Sequence, residues 1–457
     1  MGVRVTMSSG AVGGLQVMTR WPGYILSFLS ISIVGLGATV VYAGGRLGTL
    51  FIVDKQLRRR SVSRLGGRVL RWTMTLLGAT FIKLGQVMST RPDLFSAEFL
   101  VELRKLQDQL PAFPFRYVRD AVLTELKLPI RDIFLEFERT PVAAASIAQV
   151  HRARLLDGTE VAVKVVRPRI RRKIERDAVI LEFFARVLLV SAKMRHAQPI
   201  EHLEEFIDGI LAQTDLSIEA RNYEIFHENF RTFPGVHFPE VYADVSSSSV
   251  LTMEFVHGVK VDELEPESHP NLGPTLRDMF LKMCFEDGFL HADLHPGNML
   301  ITAEGQLYVF DVGLIKRLDE DVLVKFIDFT KCVVMGTTKD FVEHLQRFHR
   351  YMDDVDWVSL EHDAEILALQ FRGQSTSELE WGGFINELFI AGRRHGVRPM
   401  TELALVMVGL ITAEGIGKML SPNANSFDEV ASFIMPIIAR RGLTLSNPVV
   451  SATYPES

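Results

Sequence analysis

The first clear pattern is an apolar stretch without a single charge, residues 21–45, running from Trp21-Pro22-Gly23-Tyr24 through Ile25 to Gly45. From Arg64 to about Gln109 the apolar positions Leu65, Val69, Trp72, Leu76 and Leu77 recur at three and four, which predicts helix. Pro92 should end or interrupt it. Between 134 and 166 the period becomes that of strands. Phe134–Phe137, Ile147–Leu155 and Glu160–Val166 are the three runs, the last two joined by an Asp157-Gly158 hairpin turn. Helical spacing returns from Arg167 to about Phe230. Ser246–Ser249 marks a turn before the strand-like Val250–Val256, and beyond Asp311 the pattern is helical. Leu403–Ala413 is uncharged but too short to span a membrane, so a core helix is expected there. Residues 446–457 read as a loose tail. There is no internal repeat.

Composition narrows the class. A length of 457 residues suits a two-lobed catalytic unit with extensions, and 47% hydrophobic residues can fill a large core. A net charge of −6 argues against general nucleic-acid binding. Cys284 and Cys332 fit no metal or redox spacing and read as packed thiols in a reducing compartment. Charge also orients the 21–45 stretch, which is long enough to cross a bilayer. Its downstream flank carries Arg46, Lys55, Arg58, Arg59, Arg60, Arg64, Arg68 and Arg71, opposed only by Asp54. The expectation is a single N-terminal transmembrane segment with everything after it cytoplasmic. Two rivals remain: a signal peptide cleaved near Val41-Tyr42-Ala43, and a buried or interfacial hairpin favoured by glycines 23, 35, 37, 44 and 45.

The chemistry gathers around His291-Ala292-Asp293-Leu294-His295-Pro296-Gly297-Asn298, with Asp311-Val312-Gly313 following a strand-like run. An Asp, an Asn five residues on, and a second Asp after a strand form the pattern of a kinase active site. The first Asp orients a hydroxyl or water, and the Asn and second Asp hold Mg²⁺ against nucleotide phosphates. Lys164 lies mid-strand in Val161-Ala162-Val163-Lys164-Val165-Val166, a costly place for an ammonium unless it meets anions. Phosphates and a helix Glu would supply them. His291 and His295 flank Asp293 and suit structural hydrogen bonds better than a metal. The basic run Arg167, Arg169, Arg171, Arg172, Lys173 and Arg176 is a solvated helix start or a lean toward anionic lipid.

These residues resemble the UbiB/AarF-type atypical kinases associated with ubiquinone biosynthesis, over roughly residues 64–440. Lys83-Leu84-Gly85-Gln86 is similar to the family's K-x-G-Q motif. Ala143-Ala144-Ala145-Ser146 is similar to its Ala-rich loop, and Gln213-Thr214-Asp215 stands where it usually has E-x-D. Glu219 matches the helix Glu that pairs with Lys164. Ala413–Ile416 and Leu420–Pro422 look like its C-terminal region. The resemblance implies an α+β, bilobal protein-kinase-like fold with an N-terminal helical extension and a largely helical C-lobe. The expected parts are a membrane-associated segment over 1–55, the extension over 56–130, the N-lobe over 131–257, the C-lobe over 258–443 and a tail over 444–457.

For the site it implies Asp293 and Lys164 as catalytic, and Asn298 and Asp311 as Mg²⁺ ligands. Ala143, Ala144, Ala145, Ser146, Lys164, Glu219, Glu254 and Val256 would contact ATP or ADP. Lys83, Gln86, Gln213 and Asp215 would form a regulatory extension site. There Lys83 is expected to meet Gln213, a weaker partner than the usual Glu, with Asp215 as a substitute charge. Alanines in place of glycines disfavour the left-handed backbone by about 1 kcal/mol or more per residue, so phosphates should be held differently from an ordinary kinase. Protein phosphorylation in trans is not expected. ATPase activity or a lipid-related substrate is, with membrane lipid, a quinone-precursor lipid and quinone-biosynthesis enzymes as partners. The other readings are a small-molecule phosphotransferase of the aminoglycoside/choline kinase type and a non-catalytic nucleotide-sensing scaffold.

Overall fold

The computed structural model describes residues 21–89, 95–106, 111–188, 199–265, 271–335, 338–347 and 355–372, with isolated positions elsewhere. Pro92, Gln109, Leu403–Ala413 apart from Val406 and Gly409, the motifs at 413–416 and 420–422, and the tail lie outside the described residues.

Helix α1 (Trp21–Thr49) turns through 50–53 into α2 (Lys55–Leu77). Asp54 fixes that turn, since its carboxylate accepts from the Gln56 and Leu57 amides at 2.7 and 2.9 Å. The two helices run back along each other: Leu65 lies against Gly45, and Tyr42 against Gly66. Ile31 reaches the small core formed by Met74, Phe81, Leu103 and Leu106. The window Leu29–Thr49 is long and apolar enough to cross a membrane, and none of it is buried within the protein. The single helix expected between 64 and 109 is divided. Gly78, at φ +90°, ends α2 and starts α3 (Ala79–Ser89), and α4 (Ala97–Leu103) follows. A left-handed glycine breaks a helix that apolar spacing alone reads as continuous.

The N-lobe is an antiparallel sheet in the order β1 (Phe134–Phe137), β3 (Ala148–Leu155), β4 (Glu160–Val166), β6 (Val250–Glu254), backed by α5 (Phe115–Leu126). Val118 and Val122 of α5 pack on Val161, Val163, Val165 and Val250, all fully buried. The Asp157-Gly158 turn closes with Gly158 at φ +92°. Among the described residues the helical run after Arg167 comprises α6 (Ile170–Leu188), α7 (Pro199–Ala212) and α8 (Leu216–Phe230). Asp215 caps α8 by accepting from the Ser217 amide at 3.1 Å and hydroxyl at 2.6 Å. The extension locks onto α6 through a buried knot, in which the Thr80 hydroxyl and the Lys173 ammonium both donate to Asp177 Oδ2 at 2.6 Å.

The C-lobe carries a small sheet ordered β5 (Val236–His237), β10 (Leu307–Val309), β9 (Met299–Ile301), β7 (Val259–Lys260), and a separate pair of β8 (Phe289–His291) with β11 (Ile315–Arg317). Around them stand α9 (Leu272–Lys282), α10 (Glu320–Met335), α11 (Thr338–Arg347) and α12 (Trp357–Arg372), with Phe280, Phe285, Phe326 and Leu360 at the core. Cys284 is buried there as an inert thiol. This is the expected α+β, two-lobed arrangement with a helical extension.

Gly67 gives a direct test of how the extension packs. A Cβ there would stand 2.7 Å from the Phe99 carbonyl oxygen, which is backbone and cannot swing aside. Gly67→Ala gains up to about 1 kcal/mol of helix propensity but overpacks at about 1–3 kcal/mol. The expected outcome is a lowered unfolding midpoint and faster amide exchange across 97–106. A midpoint at or above wild type would mean that α2 and α4 are not in contact.

Candidate active site

Three elements meet at one ammonium. Val163 and Val165 bury one face of β4, so Lys164 takes the other, toward α8. Its Nζ lies 2.8 Å from both Glu219 oxygens and 2.7 Å from Asp311 Oδ1. Burial alone would push the Lys164 ammonium down, but the Asp311 and Glu219 carboxylates outweigh it and hold it above the ordinary lysine value. Burial would raise Asp311, yet Lys164 and then Lys83 pull it well below the usual carboxylate range. Glu219 is only 3% exposed, and its burial pushes its carboxyl up against the pull of Lys164.

The Asp311 backbone is in the left-handed region at φ +56°, uncommon for a residue other than glycine. Its neighbours fix it there. The Asp311 amide donates to the Tyr223 hydroxyl at 3.1 Å, Asn222 Nδ2 donates to the Val312 carbonyl at 2.8 Å, and the Phe310 amide donates to the Asn298 carbonyl at 2.8 Å. The buried His291 sits between both loops. The Phe310 carbonyl, 3.1 Å away, can only accept, so Nε2 carries the proton. Nδ1 then accepts from the Asp293 amide at 3.2 Å. Burial pushes His291 below the ordinary histidine value, so it is a neutral strut. His295 is exposed.

Asn298 Nδ2 donates to the Asp293 carbonyl at 3.2 Å, which leaves its amide oxygen as a donor atom. Asp311 keeps its second oxygen, and its side chain is 42% exposed. Two hard oxygens with room for phosphate beside them suit Mg²⁺, which binds through one or two protein ligands plus substrate phosphate. Among the described residues no cluster of three or more His, Cys, Asp or Glu offers another metal site.

The Ala-rich segment departs from the expected loop. Ala143 and Ala144 form the short strand β2, paired with Val150 and Gln149 of β3, and the Ala145 amide donates to the Ala148 carbonyl at 2.8 Å. Ser146 is buried at the tip. None of these residues has positive φ, so the alanines carry no left-handed strain: the hairpin replaces the turn that glycines would make. Arg167, read from sequence as part of a basic run, pins this hairpin. Its Nε donates to the Ala145 carbonyl at 2.9 Å and its NH2 group to the Pro111 carbonyl at 2.8 Å, with the guanidinium 5.4 Å from the Phe113 ring centre. Only its place directly after an apolar strand hinted at this. Asn222 and Tyr223, the clamps on the Asp311 segment, gave no sequence signal.

Lys83 has a partner in the site that the sequence pattern did not show. Its Nζ lies 3.4 Å from Asp293 Oδ2, in the catalytic loop. Gln213 sits beside the ion triad: its Cγ is 3.7 Å from where a Cβ on Gly313 would be, a point 3.4 Å from Glu219 Oε2 and 3.7 Å from Asp311 Oδ1. Asp215 is spent on capping α8. α3 buries its apolar side chains against α2, α4, α6 and α7, and Lys83 reaches from it to a carboxylate of the site itself. Gln86, on the same helix, is half-buried with its side-chain oxygen unpartnered among the described residues. Glu254 closes β6, where its carboxylate accepts from the Tyr308 hydroxyl at 3.4 Å, and Val256 follows half-buried in the hinge.

The neutral His291 makes a pH prediction. A group whose folded pKa lies below its unfolded value, about 6.5 for histidine, adds stability above that value and loses it as pH falls. Stability should drop by up to about 1.4 kcal/mol per pH unit below 6.5. His151, likewise depressed by burial in the N-lobe, has its own step. The measurement is therefore unfolding at pH 7.5 and 5.0 for wild type and His291→Gln, and the variant should lose less. Equal losses would mean that His291 is already charged in the fold.

Comparison with known proteins gives the same picture. A model of the ABC1 atypical kinase-like domain matches residues 105–345, and one of the UbiB helical domain matches 366–425. Protein ACTIVITY OF BC1 COMPLEX KINASE 7, chloroplastic, from Arabidopsis thaliana is 32% identical over 86% of this chain, which spans 56% of that relative's length. Probable protein kinase UbiB from Pseudomonas aeruginosa is 31% identical over 83% of this chain and 73% of its own. Among solved structures, Rv3197 of Mycobacterium tuberculosis, determined in complex with erythromycin, aligns with a TM-score of 0.51 at 20% identity. That alignment covers 75% of this chain and 92% of the other, a likeness of fold alone.

Proposed function

We propose, for a chain that belongs to the ABC1 atypical kinase-like family, that it is a membrane-associated atypical kinase or ATPase that binds Mg²⁺-nucleotide and supports isoprenoid-quinone biosynthesis. The observation that carries this reading is the meeting of Lys164, Glu219 and Asp311 within hydrogen-bond distance, with Asn298 and Asp293 on the adjoining loop. Mg²⁺, when bound with ATP, neutralises phosphate charge. Asp311 and Asn298 would hold it through their free oxygens. Lys164, already fully charged, would exchange part of its carboxylate contact for phosphate oxygens, with Glu219 keeping its ammonium aimed there. The Ala143–Ser146 hairpin, fixed by Arg167, lies beside the nucleotide, and Glu254 and Val256 line the hinge. Asp293 orients the attacking hydroxyl or water.

Lys83 restrains that last step. While its ammonium lies against Asp293, the carboxylate is a poor proton acceptor, and α3 covers the side from which a protein substrate would approach. This favours ATP hydrolysis or transfer to a small lipid-related acceptor over phosphorylation of proteins in trans. The quinone context is drawn from the resemblance to UbiB-named relatives. The membrane part rests on α1 and its exposed apolar side chains. Because α1 lies along the arginine-rich α2, crossing the bilayer would drag Arg64, Arg68 and Arg71 inward at about 2.5–3.5 kcal/mol each. We therefore place the helix pair along the membrane surface rather than across it.

Purified full-length protein should release phosphate from Mg²⁺-ATP, and anionic vesicles or phenolic quinone precursors should change that rate. Asp311→Asn should lose most Mg²⁺-dependent nucleotide affinity. Asp293→Asn should bind nucleotide normally and turn over on the order of 10²–10⁴-fold more slowly. Unchanged Mg²⁺-dependent affinity in Asp311→Asn would remove the metal assignment, and nucleotide binding without turnover in wild type would make the protein a nucleotide-sensing scaffold. Lys83→Ala should raise basal turnover several-fold in the same assay. If turnover stays level or falls, Lys83 is not the restraint.

A further inference from the structure

The end of the α1–α2 hairpin carries a cleft of about 610 Å³, closed on one side by Phe99 of α4. Arg46 from the last turn of α1 and Arg58 and Arg59 from the first turns of α2 line it, with Tyr42 and Ser63. No carboxylate does. Asp54 is occupied by the α2 amides and Glu98 by Arg60. Among the described residues none of the three arginines has an acidic partner. Three guanidinium groups around one cavity repel one another unless an anion joins them, and their planar forks suit phosphate oxygens.

The surroundings say what kind of phosphate. Beside the cleft, Leu47, Leu50, Phe51 and Val53 are 63%, 60%, 89% and 96% exposed. Ile33, Leu36 and Val40 extend the same apolar side along α1 at helical spacing, each about two-thirds exposed. A free nucleotide or inorganic phosphate has no use for such a rim. A phospholipid in a bilayer does: the apolar tip enters the acyl region, and the phosphodiester then lies level with the arginines.

We propose that this cleft is a headgroup site for an anionic phospholipid, by which the hairpin docks the protein on a membrane. The proposal rests on the membrane association above and adds where and how it occurs. None of its residues belongs to the nucleotide site.

The test uses full-length protein and flotation with vesicles of phosphatidylcholine alone or with one-fifth phosphatidylglycerol. Wild type should prefer the anionic vesicles, and 10 mM inorganic phosphate should not displace it. Each basic residue at an anionic surface is worth roughly fivefold in partitioning. R46Q/R58Q/R59Q should therefore bind anionic vesicles on the order of a hundredfold more weakly while binding nucleotide as wild type does. F51S/V53S should weaken binding to both vesicle types. A control with the same loss of charge on the N-lobe surface, R119Q/R131Q/R139Q, should change binding less than fivefold. The site is overturned if R46Q/R58Q/R59Q floats like wild type, if the control loses as much, or if free phosphate displaces the protein. Wild type that floats with neither vesicle type would refute the membrane association itself, a separate result from either.

Discussion

The ammonium of Lys164 is what the rest of the site depends on. It belongs to a strand of the small sheet, its first partner Glu219 to a helix behind that sheet, and its second partner Asp311 to the large lobe. One cation therefore bridges the two lobes. The arrangement is stable only while complete, since a buried carboxylate that loses its partner costs about 3–5 kcal/mol. Glu219, at 3% exposure, is the group that would be stranded. Asp311 is open enough to exchange its contact for a metal or for water. So the rigid half of the ion triad is structural and the open half is available for chemistry.

Around this centre the protein spends side chains on preventing movement. Asn222 and Tyr223, adjacent on α8, hold the Asp311 segment in a left-handed conformation that it would not keep alone. His291 ties the catalytic loop to the same segment, and Arg167 ties the Ala-rich hairpin to the strand end. The extension adds a second layer. Lys83 meets the carboxylate that a substrate would need, and the Thr80–Asp177–Lys173 knot fastens its helix to α6. The extension is thus attached at both its chemical and its structural end.

The hairpin of α1 and α2 joins that layer to the surface apolar stripe. α2 packs on α4, and a single glycine, Gly78, joins it to α3, the helix that carries Lys83.

Local pattern alone determined much of this protein. The strand runs at 134–137 and 160–166, the Asp157-Gly158 turn, and the spacing of Asp293, Asn298 and Asp311 were all legible, because each depends on neighbours within a few residues. The pairing of Lys164 with Glu219 was legible only through family resemblance, since 55 residues separate them. What tertiary structure decided is where long side chains end. Lys83 reached Asp293, Asp215 a helix cap, and Arg167 two backbone carbonyls. It also decided that α1 lies against arginine-rich α2 and that the Ala-rich segment folds as a short hairpin. The physical reason is the same in each case. A periodic pattern says which face of an element is buried, whereas the partner of a charge is set by whichever opposite charge or carbonyl another element brings within about 3 Å.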